Sequence, residues 1–156
     1  MSKNEEFAER LHKVSARLEN SRQLAGISDA DPGSGEQWDQ GQVWAHLAEF
    51  VPYWLAEARL VIDNPSDQPV EFGRVKSDPV RIAAIETGRQ LHPNEQWQVL
   101  QAQIEDLRDF INQVDEPQWG SLGIHQTRNT MSVADIVDEF LVGHLEEHAD
   151  QLAGLS

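Results

Sequence analysis

Apolar residues recur at alternating steps of three and four in four separate stretches of this chain, and that spacing admits little other than packed helices. Trp97, Leu100, Ile104, Leu107, Ile111 and Val114 show it most cleanly. Residues three or four apart share one face of an α-helix, so this run predicts a helix over about 94–114. Phe7, Leu11, Val14 and Leu18 predict another over about 4–25, with Gly26 as its stop. Leu47, Val51, Trp54, Leu55, Ala58 and Ile62 predict a third over about 40–63, which Pro52 should kink or split. Ser132, with Asp135 three positions on, opens the last helix as a weaker form of the capping box, and that helix runs to about 152.

The intervening stretches read as connections. Ser28 to Gly35 holds Asp, Pro, Ser and Gly, residues 64–78 are rich in Pro, Asp and Ser, and 115–131 contain Pro117, Gly120 and Gly123. Asp78-Pro79 is a cap followed by proline at the first helical position, which predicts a short helix ending near Gly88. Strand signals are poor, and Val70 to Val75 is the single candidate. The expected architecture is all-α: a four-helix bundle with a short extra helix and long connecting loops, residues 1–156 forming one domain.

Charge and composition narrow the function. The chain has 27 acidic against 12 basic residues, a formal net charge of −15. Phosphate backbones need a basic face, so a nucleic-acid partner is excluded, and an anionic membrane surface is disfavoured. There is no cysteine, so a metal would have to be held by imidazole, carboxylate or water. The N-terminal Met-Ser-Lys-Asn-Glu-Glu lacks the apolar stretch of a signal peptide, and no apolar run approaches the roughly 20 residues of a transmembrane helix. The cytoplasm is the expected location. Neither a P-loop nor a dinucleotide glycine fingerprint is present.

Six histidines occur, and three suggest a site. His144 and His148 lie four apart in His-Leu-Glu-Glu-His, on the stripe running through Val133, Val137 and Phe140 to positions 144, 148 and 151. Two inward imidazoles on one face each need a hydrogen-bond donor or acceptor inside apolar surroundings, and a metal ion satisfies both. His46, beside Val43, Leu47 and Phe50 in the second helix, is the best third ligand. Three protein ligands with one open position is the usual form of a site that does chemistry. Glu49 and Glu147 are candidates for fixing the imidazole tautomers, with Glu49 also the candidate base. The alternative for both is a solvated helix face. His12, His92 and His125 read as structural, and Arg128 as solvent-facing or as an anchor for an anionic substrate.

Two other metal readings fall on count. His144-Leu-Glu-Glu-His148 fits an inverted zinc-protease signature, but eight residues follow it and Asp150 is the one acid among them. Di-iron bundles need Glu-x-x-His on two helices, and Glu9-Arg-Leu-His12 is a single match.

Trp44-Ala-His46-Leu-Ala48, together with Gly143-His144-x-x-x-His148 followed by Gln151-Leu152, resembles the motifs of the DinB-like (YfiT-type) superfamily of metal-binding four-helix bundles. That superfamily includes mycothiol- and bacillithiol-dependent enzymes. The resemblance implies a divalent metal, zinc or nickel, on His46, His144 and His148. It also implies a small-molecule substrate, a low-molecular-weight thiol as cosubstrate and a homodimer. The expected activity is that of a metal-dependent enzyme, either a thiol S-transferase or isomerase or a hydrolase. The alternative is a bundle that binds a metal or a small ligand without catalysis.

Overall fold

The computed structural model describes residues 2–22, 38–64, 67–75 and 77–155. The expected stop at Gly26 and the loop over Ser28 to Gly35 lie outside the described residues. Helix α1 spans Lys3–Ser21, opened by a capping box between Ser2 and Glu5, with Phe7, Leu11, Val14 and Leu18 buried. Helix α2 spans Gln40–Ile62 behind a second capping box, Asp39 with Gln42. It runs through Pro52 as a single helix, so the expected split does not occur. Pro52 is exposed, which leaves its ring and the carbonyl it cannot pair on the solvent side.

Helix α3, Pro79–Gly88, starts on Asp78 as expected, the carboxylate accepting from the backbone of Val80 and Arg81. Helix α4 is Pro93–Gln113, capped by His92. Its far end is tied to the start of α1. The Asn4 amide donates to the carbonyls of Ile111 and Val114, both at 2.7 Å, and its oxygen accepts from the Trp119 indole at 2.9 Å. One side chain thereby satisfies two carbonyls that a helix terminus leaves open.

The connections carry more order than the sequence suggests. The candidate strand becomes β1, Val70–Phe72, and the stretch 115–131 folds into a short 3₁₀ turn, Glu116–Gly120, followed by two strands. These are β2, Leu122–His125, and β3, Asn129–Ser132. β1 pairs parallel to β2, and β2 pairs with β3 as an antiparallel hairpin. This three-stranded sheet is an addition to the expected helical bundle. Strands this short, with Gly123 and a polar hairpin, carry too little alternation to be seen in advance.

The last helix opens as predicted, with Ser132 and Asp135 forming the capping box of α5, Val133–Ile136. It then widens into a π-helical turn over Val137–Val142 before resuming as α6, Gly143–Ala153. Val133, Val137, Leu141, Leu145 and Ala149 form one buried row along it, with Ile136, Val142 and Leu152 buried beside that row. Four consecutive steps of four drift away from an α-helical face, and the π turn absorbs that drift. The expected stripe through Phe140, 144, 148 and 151 is thus corrected. His144 and His148 flank the core on α6 and are half-buried. In the assembled bundle α1 packs on α4 and α6, and α2 packs on α3, α4 and the last helix. The seam between α2 and α6 is where His46 meets the other two histidines.

Candidate metal centre

His46, 2 % exposed, projects from α2 into this seam. Its Nε2 lies 2.7 Å from His144 Nε2, which lies 2.9 Å from His148 Nε2. All three ligand nitrogens fall within 4.8 Å of one another, the one such group among the described residues. The structure therefore brings together the three histidines singled out in the sequence.

The chemistry of this donor set fits a cation. His148 Nδ1 lies 2.6 Å from Gln151 Oε1, an acceptor, so Nδ1 carries the proton and Nε2 of the neutral ring presents its lone pair inward. His144 Nε2 then has two nitrogen neighbours but only one proton or one lone pair to offer them. Three neutral imidazoles cannot make both contacts hydrogen bonds. Lone pairs converging on one point are what a divalent metal requires.

Aromatic rings hold the imidazoles. His144 stacks on Phe50 with centroids 3.6 Å apart, and Phe50 also meets His46 edge-on at 5.0 Å. Trp38 lies parallel to His148 at 6.1 Å. Gly143, one residue before His144, is demanded by the π turn: a Cβ there would sit 2.0 Å from the Asp138 carbonyl oxygen that accepts from the Gly143 N–H. Arg10 of α1 grips both sides of this point, reaching Asp138 at 2.6 Å and Glu146 at 2.5 Å. These carboxylates raise the Arg10 guanidinium above its ordinary value, against an opposing effect of burial.

The carboxylates expected to support the imidazoles lie elsewhere. Glu49 is bound through both oxygens by Arg74, at 2.5 Å each, and this pair is largely buried. Arg74 also stacks over Tyr53 at 3.8 Å from the ring centroid. Burial and a hydrogen bond to Glu57 raise the Tyr53 hydroxyl well above its ordinary range. Glu57 also accepts from the Gly73 N–H at 3.0 Å. Glu147 is 78 % exposed and 3.9 Å from His144 Nδ1, beyond hydrogen-bond reach. Gln151, one turn past His148, is seen as a hydrogen-bond partner of a site imidazole.

His125 is not the loop residue expected from the sequence. It ends β2, 5 % exposed, stacked beside Trp54 and Phe140. Its Nδ1 accepts from the backbone of Thr127 and Arg128, which fixes the proton of the neutral ring on Nε2. Nε2 meets no hydrogen-bond partner among the described residues. Burial, aided by Arg128, holds its pKa below the ordinary value. Arg128 itself is ion-paired with Glu139 and lies over Phe140. His12 and His92 are exposed and lie outside the three-histidine group, His92 serving as the α4 cap.

No protein-family description matches this chain, and a comparison with curated proteins finds no relative. Solved structures do match. A mycothiol-dependent maleylpyruvate isomerase superposes with a TM-score of 0.72 over 100 % of this chain at 15 % identity, and a point mutant of it does so at 14 %. The chain spans 65 % of the length of those structures. The likeness establishes a DinB-like helical bundle as the fold.

Proposed function

We propose that this chain is a metal-dependent enzyme acting on a small molecule with a low-molecular-weight thiol as cosubstrate, an isomerase or S-transferase in reaction type. The observation that carries this reading is the convergence of the His46, His144 and His148 Nε2 atoms on the α2–α6 seam. The names of the structural neighbours, mycothiol-dependent isomerases, support the thiol.

In this scheme the three histidines hold zinc or nickel and do not act as acids or bases, because their inward lone pairs are committed. A divalent cation, when bound, favours the charged form of a thiol or water beside it. Gln151 keeps His148 in the ligating tautomer. Phe50 and Trp38 lie parallel to His144 and His148 and limit the rotation of their rings. Glu49, proposed from the sequence as base or tautomer-fixing carboxylate, takes a positioning role: its pair with Arg74 anchors the segment after β1 to the helix that carries His46.

The test uses full-length protein made without a polyhistidine tag and grown with zinc and nickel. Elemental analysis is expected to find close to one divalent metal per chain in wild type and little in His144→Ala and His148→Ala. Equal, low metal in all three would end the metal reading. Metal-loaded protein is then assayed with mycothiol and maleylpyruvate, and with mycothiol and alkylating electrophiles. Thiol-dependent turnover lost in the histidine variants is the expected result. Full metal occupancy without turnover on any thiol would favour a hydrolase, or a bundle that binds metal without catalysis.

A further inference from the structure

Arg10 of α1 spans the widened turn of the last helix. Its Nη1 donates to Asp138 Oδ1 at 2.6 Å, its Nη2 to Glu146 Oε1 at 2.5 Å, and its Nε to Glu146 Oε2 at 3.4 Å. One guanidinium thus holds a carboxylate within the π turn and another beyond its end. It also lies against the hydrogen bond that closes the turn. The Gly143 N–H donates to the Asp138 carbonyl, and a Cβ on Gly143 would stand 3.8 Å from Arg10 Nη2.

This bridge depends on the form of the helix. Residues 138 and 146 are eight apart, which in a regular α-helix separates them by about 80° around the axis. A π turn takes up one extra residue without advancing the face, so the same two acids come within about 20° of one line. A planar fork faced by both acids therefore favours the widened form. The same extra residue sets the phase of His144 and His148, which follow the turn. Closing the turn with every residue retained would rotate both by about 100°, out of the α2–α6 seam.

Arg17, two turns further along α1, offers a comparison in the same interface. Its Nη2 donates to Asp150 Oδ1 at 2.6 Å, a single acid beyond the turn. The Arg17 side chain is 48 % exposed against 28 % for Arg10. An exposed single pair contributes little, whereas a fork shared between two acids holds a geometry.

We propose that Arg10 is a positioning residue that holds the last helix in its π-widened form and so keeps His144 and His148 in phase with His46. The consequence for metal binding rests on the function proposed above.

Full-length, untagged wild type is compared with Arg10→Met, Arg10→Lys, Asp138→Asn and Arg17→Met. Hydrogen exchange of the Gly143 amide is measured by NMR in the metal-free proteins, relative to the amides of α4. Arg10→Met is expected to exchange Gly143 about tenfold faster on that scale, Asp138→Asn about threefold faster, and Arg17→Met as wild type does. Lysine is a point charge that cannot fork between two acids, so Arg10→Lys is expected to follow Arg10→Met. Zinc competition titrations should keep this order, with Arg10→Met about tenfold weaker and Arg17→Met unchanged. Asp138→Asn keeps the test decisive if Arg10→Met fails to fold. The proposal is overturned if the folded variants protect Gly143 as wild type does, or if Arg17→Met loses protection equally. It is also overturned if Arg10→Lys restores protection in full, or if zinc binding is unchanged where protection is lost. A wild type that binds no zinc would remove the metal reading alone, because Gly143 exchange still decides whether Arg10 holds the turn.

Discussion

Gln151 shows how much of a site rests on a side chain whose visible part is to hold a histidine. Its Oε1 takes the proton-bearing nitrogen of His148 and thereby decides which nitrogen points inward. Supporting partners of this kind are typically worth 10- to 100-fold in metal affinity. Gln151→Leu is expected to weaken zinc binding by about that factor in a competition titration, with helix content unchanged by circular dichroism. His125 bears on stability. Its pKa is depressed in the folded chain by burial and by Arg128, so below the ordinary histidine value of about 6.5 the unfolded chain binds a proton that the folded chain refuses. Stability is therefore lost as pH falls from about 6.5 toward the lower folded value and is unaffected above it. His125→Phe keeps an aromatic ring beside Trp54 and Phe140 but cannot titrate. Denaturant midpoints measured between pH 7.5 and 5 should fall less steeply for this variant, and parallel slopes would assign the loss to other groups. The three histidines that cluster on the α2–α6 seam were legible from residue type and spacing alone. Their supports were not, because Glu49 and Glu147 stand at plausible helical spacings yet Arg74 captures one and solvent the other.

Among the elements, the last helix departs most from its sequence signal. The start at Ser132 and the amphipathic character were readable, and so were the limits of α3 and α4. The π turn was not recognised, although the steps of four from Val133 to Ala149 are its imprint. An apolar Phe140 beside a fully buried Leu141 allowed two stripes to be drawn, and only packing against α1 and α2 selects one. Gly143 is the residue this turn requires, not for a left-handed backbone but for the closeness of the Asp138 carbonyl. Gly143→Ala must move that carbonyl or unwind the turn, and overpacking of this kind costs about 1–3 kcal/mol. The variant is expected to melt at lower temperature and to lose most of its bound metal. Unchanged metal content would show that the turn does not position the imidazoles. The small sheet escaped the sequence for a different reason. Its strands have three or four residues, and their order depends on a parallel pairing between β1 and β2 that no local pattern encodes.

At the scale of the molecule the three imidazoles join parts of the chain that are remote in sequence. His46 and His144 are 98 residues apart. A cation held by both helices would staple the α2–α6 seam, and a ligand bound only by the folded state stabilises it in proportion to the logarithm of its concentration. Zinc at about 100 times its Kd is expected to add about 2.7 kcal/mol, a rise of several degrees in Tm for a domain of this size. A chelator should reverse the gain, and His46→Ala should abolish it while leaving two ligands on α6. An equal zinc-dependent rise in His46→Ala would place the ion elsewhere. The helical bundle was legible because amphipathic faces must bury one another, whereas loop order depends on contacts made only after they do. The widened turn has one more consequence, for the lengths this chain can tolerate. It fixes a phase between the start of the last helix and the two histidines beyond it. Substitutions between Ser132 and Gly143 are limited by packing, but the number of residues there behaves like a reading frame. Deleting one would close the turn into regular α geometry with both imidazoles still in phase, whereas inserting one would swing them by about 100°, out of the seam.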